Sequence, residues 1–248
     1  MLLVIIDRHA DRVEGREAVT VAEEDKFHLS DIYKFERPYW LIITSCVLLY
    51  SVLFPFLSNV CNLMLQQKYG YSETEAGTAN FLPYLISAIL AAPLGYMIDK
   101  IGKRALVVMF SSLLITLSMI ICMLQPGSPD PENVRDESVL LPLILLGVGY
   151  SIYACALWGS IPYTVPDKMF GSAFGICTSI QQVGLTLTPI ILAYTETLGK
   201  TKAVFNSASL IFLTVLGTIG IVFNVMLYLD DINNRGGQLD KVDAKEKQ

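Results

Sequence analysis

Hydrophobic residues fall along this chain in six long blocks. Residues 39–65, 78–98, 105–124, 139–165, 170–195 and 206–229 contain no Asp, Glu, Lys or Arg, while 18 basic and 23 acidic residues occupy the intervals. Each block has 20–27 residues, and a helix rising about 1.5 Å per residue needs roughly 20 residues to cross a hydrocarbon layer. A charge at the bilayer centre costs about 2.5–3.5 kcal/mol, so exclusion of charge on this scale is a requirement imposed by lipid. A soluble core helix of such length would keep a polar outer face, and these blocks have no charged face to offer. The pattern predicts an all-α membrane protein with six transmembrane helices.

The intervals orient those helices. An even number of spans puts both flanking segments on one side. That side collects Arg8, Arg12, Arg16, Lys26, Lys34, Arg37, Lys100, Lys103, Arg104, Lys168, Arg235, Lys241, Lys245 and Lys247. The other side has Lys68, Arg135, Lys200 and Lys202. The positive-inside bias makes the first side cytosolic. Residues 7–38 then read as a cytosolic linker and 230–248 as a solvated cytosolic tail. Residues 1–6 are apolar and stop at Asp7, too few to span, and read as the remnant of a preceding helix.

Composition narrows the function classes. The net charge is −5 and no basic run suggests a nucleic-acid partner. All five cysteines, Cys46, Cys61, Cys122, Cys155 and Cys177, lie inside blocks without paired spacing and read as small packing residues. Both histidines, His9 and His28, lie in the entry segment, and no block holds a carboxylate to serve a nucleophile, water or metal. The chain is therefore read as a non-enzyme without cofactor or metal. The loop Pro126-Gly-Ser-Pro-Asp-Pro-Glu-Asn133 reads as an irregular, exposed turn segment.

One link carries a signature. Gly95-Tyr-Met-Ile-Asp99-Lys100-Ile-Gly102-Lys103-Arg104 lies between the second and third blocks, on the basic side. Its spacing resembles the loop that follows the second helix of each six-helix half in the major facilitator superfamily. Further likeness runs through Val52-Leu-Phe54-Pro55-Phe56, Tyr150-Ser-Ile-Tyr153-Ala-Cys155-Ala-Leu-Trp158, Val165-Pro166, Gly171-Ser-Ala-Phe174-Gly175, Ser179-Ile-Gln181-Gln182-Val-Gly184-Leu185 and Asn234-Arg-Gly236-Gly237-Gln-Leu239. These stretches resemble a lysosomal, dipeptide-exporting branch of that family. The resemblance implies one half of a twelve-helix fold, uniport by alternating access, residence in the lysosomal membrane and association with a glycosylated lysosomal membrane protein. It also implies that residues 1–6 end the sixth helix, and that a six-helix N-terminal half, or a second copy, completes the molecule.

Within that frame the candidate cavity residues are Asn59, Asn62, Tyr150, Tyr153, Trp158 and Gln181. Asn59 and Asn62 are three apart and share a face of an ideal helix, which in lipid must look toward protein or water; interhelical hydrogen bonding is the alternative. Tyr150 and Trp158 are eight apart and point the same way, with Tyr153 offset; a terminal Trp is also a common interfacial anchor. Gln181 and Gln182 point about 100° apart, and Gln181 matches the resembled glutamine. Gly171 and Gly175 read first as a close helix-packing pair, and Pro83 and Pro189 as kinks. The candidate conformational gate is Gly95, Asp99, Gly102, Lys103 and Arg104, with Asp99 expected to sit on the dipole of the fifth helix near 169–171. Phe170 stands there in place of the arginine that often completes this lock. An accessory or truncated membrane protein that binds partner helices is the alternative to a transporter.

Overall fold

A computed structural model of the chain describes residues 35–198 and 202–241. The expected helix remnant at residues 1–6, the linker up to residue 34 and the tail beyond residue 241 lie outside the described residues. Within them stand six membrane-length helices: α1 (Arg37–Tyr69), α2 (Glu73–Ile101), α3 (Arg104–Leu124), α4 (Leu140–Ser160), α5 (Phe170–Leu198) and α6 (Lys202–Arg235). Each lies on one charge-free block; α4 falls short of its block, which ends in short 3-10 turns, while the others run past theirs. At α2 the Ser72 hydroxyl accepts the Glu75 N–H while the Glu75 carboxylate accepts the Ser72 N–H, so the helix starts five residues before its apolar block.

The helices form two layers. Side by side in one stand α2, α4, α1 and α5; behind them α3 packs on α4, α6 packs on α1, and α3 and α6 pack on each other. Exchanging α1 with α4, α2 with α5 and α3 with α6 leaves this set of contacts unchanged, the arrangement of two three-helix repeats.

Lipid offers no hydrophobic drive between helices, so close backbone approach and hydrogen bonds must hold them together. Each of the five extensive seams contains a glycine whose added Cβ would crowd the neighbouring helix. A Cβ on Gly147 would lie 2.9 Å from Pro83 Cα, closing α4 on α2. Gly149 meets Ile115 and Leu114 of α3, Gly217 meets Thr116 of α3, Gly220 meets Leu49 of α1, and Gly184 meets Val47 and Ser51 of α1. Hydrogen bonds reinforce two of these seams, where Ser118 Oγ donates to the Pro142 carbonyl at 2.7 Å and Tyr39 OH to the Ala173 carbonyl at 2.9 Å, and Asn80 Nδ2 ties α2 to α1 at the Leu57 carbonyl at 2.9 Å. Gly171 and Gly175, expected to pack, have no atom within 4 Å of a notional Cβ. They face outward from α5, so their spacing makes no helix contact among the described residues.

Midway, α1 changes pitch. Phe56–Cys61 is π-helical, directly after Pro55. Ser58 Oγ donates to the Phe54 carbonyl at 2.7 Å and Asn59 Nδ2 to the Pro55 carbonyl at 3.3 Å. Side-chain donors thus sit on carbonyls that an α-helix reserves for N–H groups four residues on, which favours the wider turn. By contrast α2 and α5 continue through Pro83 and Pro189.

The flanking helices leave apolar faces open. Phe81, Leu85 and Ile89 form a stripe on α2, and Val183, Leu187 and Ile190 one on α5, surfaces that suit only lipid or further helices.

The seams predict opposite outcomes at two glycines. Gly147→Leu should push α4 off the Pro83 backbone and cost about 1–3 kcal/mol, read as a lower melting temperature in detergent. Gly175→Leu, with open space around it, should leave that temperature within a degree or two of the parent, on the order of the effect of a surface substitution.

Candidate functional site

At the heart of the four-helix layer is an aromatic cluster centred on Tyr50 of α1. Its ring stacks on Phe54 (centroids 5.5 Å apart) and meets Tyr150, Tyr153 and Trp158 of α4 at 6.2, 5.9 and 6.2 Å. Trp158 Nε1 donates to the Tyr50 hydroxyl at 2.7 Å, and the indole stacks on Phe174 of α5 at 5.9 Å. Three helices therefore meet in one aromatic stack. Tyr150, Trp158 and Phe174 are half-buried, whereas Tyr153 is fully buried and shares a 2.7 Å hydrogen bond with Ser45 Oγ. Tyr153 thus sits behind the exposed wall, cementing α1 to α4.

Polar groups border this cluster. Gln181 is buried and its amide has no hydrogen-bond partner among the described residues. It lies on α5 between Phe174, which touches Trp158, and Gly184, which touches Ser51. Ser51 Oγ is buried and unpartnered as well. Gln182 points outward and is exposed. The asparagines lie apart, Asn59 nine residues beyond Tyr50 and so roughly 13 Å along the helix axis. Asn59 is exposed, and Asn62 accepts a 3.0 Å bond from Gln66 Nε2 within α1. The π turn that contains Asn59 changes the three-residue alignment expected of an ideal helix, and neither makes an interhelical bond among the described residues. Sequence reading brought Tyr150 and Trp158 forward but missed Tyr50, Phe174 and Ser51; the i, i+4 aromatic pair Tyr50 and Phe54 was the available signal.

At the end where α1 starts and α6 finishes, the gate residues form a different arrangement from the one expected. Asp99 does not sit on α5. Its carboxylate, largely exposed, pairs with Arg104 Nη2 at 3.0 Å. Arg104 is only 3% exposed, donates to the Lys241 carbonyl at 3.0 Å and lies 4.4 Å from the Tyr163 ring centroid. A buried cation needs such partners, and the guanidinium spreads its donors and its flat face among three of them. Gly95, placed with the gate by sequence, is an interior residue of α2 with open space around it. The turn belongs to Gly102 and Lys103, with φ of 66° and 49°. A Cβ on Gly102 would collide with the Asp240 carbonyl.

That carbonyl belongs to the segment expected to be a solvated tail. Instead Leu239 is fully buried, its N–H donates to both Asp231 carboxylate oxygens at 3.1–3.2 Å, and Arg235 donates to the Tyr163 carbonyl at 3.0 Å. Arg235 also pairs with Glu36 at 3.2 Å, tying the end of α6 to the start of α1. The residues that look hydrophilic in sequence are spent on internal bonds.

The opposite end is likewise more ordered than expected. The proline-rich loop folds over the end of α1: the Ser128 N–H donates to the Lys68 carbonyl at 2.9 Å, and Gly70 approaches the Pro131 and Val134 carbonyls too closely for any side chain. Arg135 pairs with Glu75 at 2.9 Å and with Glu137, a bond that raises the guanidinium's hold on its proton further.

Residues 28–246 match the Major Facilitator Superfamily. The chain belongs to that superfamily. Its six helices are one half of the fold, and its family consists of transporters. It is 30% identical to the lysosomal dipeptide transporter MFSD1 of Danio rerio over 96% of this chain and 48% of the relative. Against the proteins of the same name from Bos taurus and Homo sapiens it is 32% and 29% identical, over 77% and 97% of the chain. The chain spans about half the length of the curated relatives it matches, 38–48% for these three.

The buried tail gives a test. Leu239→Ala should cost about 2–5 kcal/mol, seen as a lower melting temperature, whereas Glu132→Gln, altering an exposed loop carboxylate, should cost under about 0.5 kcal/mol. Equal and negligible shifts would return the segment to solvent.

Proposed function

We propose that this chain forms one wall of a dipeptide pathway in a facilitator of the lysosomal membrane. The observation that carries the reading is the aromatic cluster of Tyr50, Tyr150, Trp158 and Phe174, with the buried Gln181 about two helical turns beyond Phe174 on α5. Those groups offer ring faces and neutral hydrogen-bonding atoms at mid-membrane depth, suited to a peptide unit and its side chains. Full charges complementary to peptide termini are absent from the six apolar blocks, so they belong to a second six-helix body facing this one. The same absence argues for uniport, since these blocks hold no acid or base to relay protons.

The end bearing Asp99 and Arg104 is read as cytosolic, because the basic residues concentrate there. Opening and closing at that end is assigned to the loop that Gly102 and Lys103 form, with Arg104 holding it on the tail. A glycosylated lysosomal membrane protein remains the partner that the family resemblance suggests.

A second reading draws on the chain's span of about half its relatives and on the open apolar stripes of α2 and α5: a short form that binds partner helices and moves nothing alone. Flux separates the two. Proteoliposomes containing this chain, alone or with the N-terminal half of a relative, should take up a labelled dipeptide saturably, and Trp158→Ala should reduce that uptake by about tenfold, the equivalent of one lost contact worth 1.4 kcal/mol. Silence of both preparations, with correctly folded protein, would favour the accessory reading.

A further inference from the structure

We propose that Tyr50 is the positioning residue of the cavity wall: its hydroxyl fixes the pose of the Trp158 indole, and through it the surface presented to a dipeptide. This rests on the transport reading for its substrate consequence, though not for its geometry.

An indole N–H can only donate, and when it is withdrawn from water it needs an acceptor. Trp158 finds that acceptor in the Tyr50 hydroxyl at 2.7 Å. The acceptor is itself immobile. Tyr50 is 5% exposed, its ring is nearly parallel to Phe54 with an interplanar angle of 15°, and it is met edge-on by Tyr150 at 90°. A phenol held on two sides cannot follow a swinging indole, so the bond sets the angle of the tryptophan rather than the reverse. That angle brings the indole to within 14° of parallel with Phe174, which closes one face of the ring system. The remaining surface of the half-buried indole is what the cavity receives. Tyr50 touches the substrate, on this view, only through Trp158.

The bond also spans helices, since Tyr50 is on α1, Trp158 on α4 and Phe174 on α5. Losing the hydroxyl should therefore change the pose of the indole without emptying any space, because phenylalanine keeps the ring.

The chain has two tryptophans, so Trp40→Phe leaves Trp158 as the sole reporter in the complete chain. In that background Tyr50→Phe should shift the Trp158 emission maximum and increase quenching by acrylamide, while Tyr150→Phe, which removes a hydroxyl that does not bind the indole, should change neither. In proteoliposomes the half-saturation concentration for alanylalanine should rise about 2–10-fold in Tyr50→Phe, the worth of one net hydrogen bond, with a nearly unchanged saturating rate. A merely structural role would lower the saturating rate with the amount of folded protein and leave half-saturation alone. Emission and quenching identical to the parent overturn the proposal outright. Altered emission with unchanged half-saturation overturns the link to substrate. Altered emission in a chain whose unmutated parent moves no dipeptide supports the positioning role and overturns the transport reading instead.

Discussion

Helices in lipid gain little by burying apolar side chains against one another, because the surrounding hydrocarbon is as apolar as they are. What remains is contact distance. In this chain that constraint is met at Gly147, Gly149, Gly184, Gly217 and Gly220, one at each extensive seam between helices. Everything else in the structure is fitted to the spacing those residues permit. The interhelical bonds from Tyr39, Asn80 and Ser118 reach backbone carbonyls only because the helices already stand so close.

The same closeness explains the division of labour among aromatic residues. Tyr153, pressed between α1 and α4 with its hydroxyl on Ser45, is cement. Tyr150 and Trp158, a few residues away on the same helix, are only half-buried and keep part of their surface free. Charge is confined to the two ends. There it is absorbed into local networks: Arg104 with Asp99, Tyr163 and the chain at Lys241 at one end, and Arg135 with Glu75 and Glu137 at the other.

The six helices were legible in sequence because charge exclusion over twenty or more residues has few explanations. The loop between α2 and α3 was legible as a motif. Its partner was not, since Asp231, Arg235 and Leu239 read as the start of a hydrophilic tail, and only the fold shows that their polar atoms serve one another. Spacing alone misjudged Gly171 and Gly175, because small residues four apart mark a seam only where a neighbour faces them. Tyr50 escaped notice for the converse reason: a tyrosine in an apolar block looks like filler until the indole on another helix is found resting on its oxygen.

The π turn at Phe56–Cys61 holds more residues than an α-helical turn would over the same rotation. Helical-wheel bookkeeping carried from Tyr50 to Gln66 therefore slips by up to one residue's rotation, about 100°. Labelling or accessibility profiles along α1 will show two separate periodic waves with a phase break between them, and homologous chains that differ by a single residue in length here can still align their two ends without moving either.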